Sequence, residues 1–290
     1  MDRFNSAHKA SILGILGNIL LLVLKTTIGF ISNSQAMIAD AFNSFGDVLS
    51  SLLTFIGNKI SSKKADNDHH LGHGKAEYIY AFLISIIMLM TSVIVIKGAI
   101  TTYLNHSKID FSISLIIICI ITIITKFSLY LYTRSIGKKH HNILVEANSK
   151  DHRNDCFITM MTLTSAVLGV YVLDIIIGII IALWIAYTAL KIFKESYDVL
   201  MDKAMDEVTE KKVHEIIQKH SEVLKIQHFN STPVGYKYQI SFTIFVDGNL
   251  STFESHEIAD TLEKEIKKEI PEIYLSVIHV NPMNVKKKDK

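Results

Sequence analysis

Apolar residues gather in six blocks along the first two thirds of the chain, at roughly 10–31, 36–60, 76–102, 111–132, 151–172 and 174–193. As helices, stretches of about 20 residues span the ~30 Å hydrocarbon layer of a bilayer. The intervening connections alternate in character. Those at 32–35, 103–110 and 171–174 are short and hold a single base, Lys108, whereas the opposite side carries most of the Lys and Arg, from Arg3 and Lys9 to Lys191 and Lys194. Basic residues favour the cytoplasmic side, so the pattern predicts six transmembrane helices with both termini in the cytoplasm. No small-residue cleavage site follows the first block, which reads as a span and not a removed signal peptide.

After residue 201 the pattern becomes that of a water-soluble domain. An amphipathic helix is predicted over 207–220, with Val213, Ile216 and Ile217 on one face. Strand alternation marks 223–229 and 237–246, with turn signals at 233–235 and 247–249. A second helix follows over 252–270, its core face built from Ile258, Leu262 and Ile266. Pro271 stops it before a last strand at 274–280. The predicted architecture is an α-helical membrane protein of six spans (1–201), a small α+β domain of ferredoxin-like αββαβ order (202–284) and a basic tail (285–290).

Composition changes this picture little. The 290 residues are 49% hydrophobic and carry a formal net charge of +2, too small to argue for a nucleic-acid partner. Cys119 and Cys156 lie in or beside apolar runs and read as buried or lipid-facing thiols, with no disulfide framework.

Polar residues inside the apolar blocks change it more. The second block carries Asp40, Asn43 and Asp47, and the mouth of the fifth carries Asp151 and Asp155. On a helix, residues four apart share one face. A charged carboxylate near the bilayer centre costs about 2.5–3.5 kcal/mol on insertion scales, so such groups face a cavity, a partner or an ion. Asn43, Asp47, Asp151 and Asp155 thus define one polar site between two helices, an oxygen-donor set that suits hard cations. His152 follows Asp151 directly and points ~100° away. The bland alternative is an interhelical hydrogen-bond cluster, which leaves several carboxylates repelling one another with no cation or proton to join them. Lys25 and Lys126 also fall inside spans, where they either snorkel or face the polar interior.

A second constellation occupies the loop KKADNDHHLGHGKAEY, residues 63–78. Asp66, His69, His70 and His73, with Asp68 and Glu77 nearby, form a carboxylate–imidazole patch. Gly72 and Gly74 allow the backbone to turn around it. Aspartate with two histidines is a plausible transition-metal set.

Six spans, the run IADAFNSFGDVLSS, the loop DHHLGHGKAE, the DxxxD pair of the fifth block and a small cytoplasmic α+β domain together resemble a cation diffusion facilitator, from about residue 8 to 283. The resemblance implies a homodimeric exporter of divalent metal ions driven by proton influx, not an enzyme, with the transport site on Asn43, Asp47, Asp151 and Asp155. It implies a loop metal site at Asp66, His69 and His73. It also implies a charge interlock of the dimer at Lys75 and Asp202. In the C-terminal domain the matching positions keep His228, His256 and His279, but Ser241 and Asn281 replace a histidine and an aspartate, which weakens the expectation of a two-metal cluster.

Zinc-transporting members usually place a histidine in the quartet. This chain has none, and the Asn-Asp/Asp-Asp set resembles the manganese branch. The expectation is an Mn2+/H+ antiporter of the bacterial plasma membrane working by alternating access, with zinc, iron or cobalt as alternative cargo. An intramembrane aspartyl enzyme would also use paired carboxylates, yet the sequence offers it no nucleophile, lid or cofactor motif. A non-transporting metal sensor would show no flux.

Overall fold

The structure, a computed structural model, describes residues 2–31, 35–105, 113–168 and 171–284. Among them run six long helices, α1 (Asp2–Ile31), α2 (Gln35–Ser61), α3 (Ala76–Asn105), α4 (Ile113–Lys139), α5 (Ile143–Leu168) and α6 (Tyr171–Leu200). There follow α7 (Glu207–Gln218), β1 (Lys225–Val234), β2 (Lys237–Asp247), α8 (Thr252–Glu269) and β3 (Ile273–Met283). Most of the expected connections at 32–35 and 103–110, and the tail at 285–290, lie outside the described residues. The chain divides into two compact units, 1–65 with 76–197, and 66–75 with 198–290.

In the first unit the usual sidedness is inverted. Along α1 the inward stripe is Ala7, Ala10, Ser11, Asn18, Leu21 and Lys25, while Leu13, Leu16, Leu20 and Val23 face outward. α2 buries Ser44, Asp47, Ser50, Ser51, Thr54 and Asn58 and exposes Phe45, Leu49 and Leu52. Helices sheathed in apolar side chains around a polar seam suit hydrocarbon and not water as the surrounding solvent. Among the described residues, three stretches are long and apolar enough to cross a membrane, Arg3–Ile28, Ala76–Thr101 and Ile116–Lys139.

The fifth helix departs from expectation. It begins at Ile143, eight residues before the apolar block, so Asp151 lies about 12 Å inside it instead of at its mouth. Local chemistry explains the start. His141 takes a left-handed conformation (φ 49°) at the end of α4, with Asn142 N–H donating to Gly137 O. The Asn142 side chain then accepts from Val145 N–H at 2.9 Å as the N-cap of α5. A second carboxylate helps: Glu77 accepts the Ile143 N–H at 2.8 Å and pairs with Arg3 at 2.7 Å, tying α1, α3 and α5 together. Glu77 is therefore a buried lock of the helical unit and not a member of the loop patch. Residues 171–174, expected as a connection, belong instead to α6, which begins at Tyr171.

In the second unit, β1 pairs antiparallel with β2 and β2 pairs parallel with β3, giving a three-stranded mixed sheet in the order β1-β2-β3. The parallel pair is joined by α8, the crossover such a pair requires. Val213, Ile216 and Ile217 of α7 and Leu262 and Ile266 of α8 close a core with Ile240, Phe242, Ile244 and Val246 of β2. Pro233 sits in β1 instead of in the turn, which an edge strand tolerates. The turn itself is Gly235-Tyr236, and Gly235 has φ +65° with Gly74 of the 66–75 loop so close that a Cβ there would lie 3.0 Å from the Gly74 backbone.

Candidate functional site

Asp47 on α2 and Asp151 and Asp155 on α5 converge. Each is buried, and each offers a carboxylate oxygen, the three lying within 4.8 Å of one another. The four-residue spacing of Asp151 and Asp155 stacks them on the face of α5 that meets α2. On the α2 side, Asn18 of α1 fixes the backbone, donating to Asp47 O at 3.0 Å and to Ser51 Oγ at 2.9 Å. Asn43 stands one turn before Asp47 on α2, and its side chain and that of Asp40 lie outside the described residues. His152 is fully buried, its Nε2 3.3 Å from Asn148 Nδ2, and it takes no part in the carboxylate trio.

One member of this site was not foreseen. Lys126 of α4 places its ammonium 2.7 Å from Asp47 Oδ2 and 2.5 Å from Asp155 Oδ2. It faces the polar interior and does not snorkel. The sequence signalled a charge inside a span, but spacing along one helix cannot say which neighbours it meets. Lys25 of α1 is buried too. Three carboxylates and the Lys126 ammonium gather where apolar packing would otherwise be expected.

Asp66, His69 and His73 form the second convergent set. Asp66 Oδ1 accepts the backbone N–H groups of Asp68 (3.1 Å) and His69 (2.7 Å), which folds the loop back on itself. His69 Nδ1 and His73 Nε2 each lie 3.4 Å from an Asp66 oxygen, and their rings sit 4.4 Å apart. The His69 amide, above all, holds the Asp66 carboxyl below the usual carboxylate range. Gly72 supplies the left-handed turn, φ 78°.

The C-terminal histidines do not gather in the same way. His228 occupies a bulge in β1 with φ 54°, His256 is exposed on α8 beside Asp260 at 3.6 Å, and His279 is exposed on β3 opposite Thr243. Among the described residues no group of three metal-binding side chains includes them. Lys75 and Asp202, by contrast, meet at 2.5 Å. Asp202 is the left-handed residue (φ 56°) that closes α6, with its own N–H on Val199 O and that of Lys203 on Asp198 O.

Comparison with known proteins agrees with a metal-handling site in a membrane. The family model of the cation efflux transmembrane domain matches residues 11–201, and that of the cation efflux protein cytoplasmic domain, a dimerising module, matches residues 205–283. The manganese efflux system protein MneP of Bacillus subtilis is 27% identical over 291 residues, covering 97% of this chain and 98% of MneP. The cation-efflux pump FieF of Shewanella oneidensis is 27% identical over 268 residues, 91% of this chain and 90% of FieF. The magnetosome protein MamM of Magnetospirillum gryphiswaldense is 26% identical over 260 residues, 87% and 81% of the two chains. With one model covering well over half its length and the other most of the rest, the chain belongs to the cation efflux family, a membrane exporter of metal ions and not an enzyme.

Proposed function

We propose that this protein is an Mn2+/H+ antiporter that exports manganese by alternating access as a homodimer. The observation that carries the reading is the convergence of Asp47, Asp151 and Asp155, a trio of oxygen donors without imidazole. Carboxylate and carbonyl oxygens favour Mg, Ca and Mn, whereas imidazole favours Zn, Cu and Ni. Asn43 completes the quartet from the turn before Asp47. Six spans (1–201) carry this site, with both termini in the cytoplasm of a bacterial cell. The domain at 202–284 serves dimerisation and metal sensing, and 285–290 is a solvated tail. Metal binds from the cytoplasm to ionised aspartates. The helices rock outward, and protons from the other side compete for the same oxygens, so no separate proton carrier is required. Asp66, His69 and His73 hold a second, cytoplasmic metal, and Lys75 with Asp202 interlocks the dimer. No metal cluster is assigned to His228, His256 and His279.

One observation favours a second reading, export of zinc, iron or cobalt: the loop trio supplies two imidazoles. Flux into proteoliposomes under an imposed pH gradient separates the two. Manganese flux well above zinc flux at matched concentration, and lost in Asp47→Ala, is the expected result. Zinc flux equal to or above manganese flux overturns the manganese assignment. Flux indifferent to the pH gradient overturns antiport.

A further inference from the structure

Lys126 lies near the middle of α4 with 1% of its side chain exposed, and its ammonium bridges Asp47 of α2 and Asp155 of α5. Those are two of the three carboxylates that converge to within 4.8 Å. A divalent ion bound by carboxylates sits roughly 2.0–2.6 Å from their oxygens. An ammonium 2.5–2.7 Å from the same Oδ2 atoms occupies that region, and two positive charges held so close in a buried site repel strongly. Lysine is suited to leave: its charge is compact and rides on a flexible four-carbon stem, unlike the rigid fork of arginine.

We propose that Lys126 is a tethered competitor of the transported ion, so that metal binds to Asp47 and Asp155 only as the ammonium swings away and is expelled as it returns. The inference rests on the reading of Asp47, Asp151 and Asp155 as transport ligands. Apparent affinity is then the intrinsic affinity scaled by the fraction of time the ammonium is away. Every divalent ion meets the same competitor, so Lys126 sets the strength of binding without setting the choice of metal. The ammonium also supplies an expelling charge from within the protein, which keeps a trio of buried carboxylates from becoming a trap for its cargo.

The test uses the purified full-length protein in lipid nanodiscs. Mn2+ and Zn2+ affinities are measured for wild type, Lys126→Met and Asp155→Ala. The expected result is that Lys126→Met binds both ions at least tenfold tighter, with their ratio unchanged, and turns over more slowly in flux. Weaker or unchanged binding in Lys126→Met, with binding still lost in Asp155→Ala, overturns the competitor role and makes Lys126 a pin that orients the aspartates. Undiminished binding in Asp155→Ala overturns the site assignment itself. If Lys126→Met does not fold, Lys126→Gln, which keeps a polar side chain without the charge, takes its place: at least tenfold tighter binding of both ions upholds the proposal, and weaker or unchanged binding overturns it.

Discussion

If the protein exports manganese as proposed, Asp151 is the residue on which its selectivity turns. It shares the α5 face with Asp155 and meets Asp47 across the helix seam, so a side chain there would reach an ion held by the trio. We expect Asp151→His to raise the zinc-to-manganese flux ratio by roughly tenfold, about 1.4 kcal/mol of relative binding, since an imidazole favours zinc over manganese. Proteoliposome flux with both ions measures the ratio, and an unchanged value defeats the argument from ligand type. Asp47, Asp151 and Asp155 were legible in the sequence because carboxylates inside apolar blocks are costly and four-residue spacing fixes a shared face. The partnership of Lys126 was not legible. It depends on the rotation and depth of a third helix, which the spacing of residues along α4 does not encode. Glu77 was misjudged for a similar reason: its neighbours in sequence are loop residues, but its partners are Arg3 and Ile143, far along the chain.

At the scale of elements, α5 shows why apolar runs alone place a helix badly. Its first turns, ILVEANSK, are polar enough to read as a loop, yet Ile143, Leu144, Val145, Ala147, Asn148 and Ser149 are all buried. The usable signal was Asn142, a residue fit to end α4 and cap α5. Asn142→Ala removes the cap on Val145 and the 2.9 Å bond to Asn58 Oδ1. The expected destabilisation is about 2 kcal/mol, from a lost cap and a buried acceptor left unsatisfied. Thermal unfolding in detergent checks it, and Asn142→Asp, which keeps the cap alone, should fall between. In the second unit Asp206 caps α7 and Ser251 caps α8. Asp206 accepts from Thr209 Oγ1 at 2.7 Å and from the amides of Val208 and Thr209, and the Thr209 hydroxyl foremost holds its carboxyl below the usual range. The sign follows: the folded carboxyl releases its proton more readily than the unfolded one, so its support for α7 is complete above pH ~4 and lost as pH falls through the depressed value. Protection of the amides across 207–218, taken relative to their intrinsic exchange rates at each pH, should therefore fall in acid, and Asp206→Asn, which caps without titrating, should remove that dependence.

At the scale of the whole molecule, the chain leaves the helical unit at 65, returns at 76 and leaves again at 197, so the loop 66–75 belongs with the soluble residues. Periodicity predicted six helices and the αββαβ order, but not this membership, because it rests on Gly74 against Gly235 and Lys75 against Asp202. Asp202 is informative here. A left-handed residue at the end of a helix is most often Gly, and an Asp there bears a backbone penalty that its pairing with Lys75 offsets only in part. Both side chains are substantially exposed, so the pair is worth under about 1 kcal/mol and weakens with salt. If the pair interlocks the dimer, two copies act together by symmetry. Asp202→Asn, which tolerates the same backbone conformation without the charge, should raise the dimer dissociation constant by up to about tenfold at low ionic strength. The wild-type protein in 1 M salt should approach the variant, because the screening length there is about 3 Å. Mass measurement of the detergent-solubilised protein across a dilution series reads both. If the dimer is unchanged while amide exchange in 66–75 quickens, the pair is a local tether of the loop and the interlock reading fails.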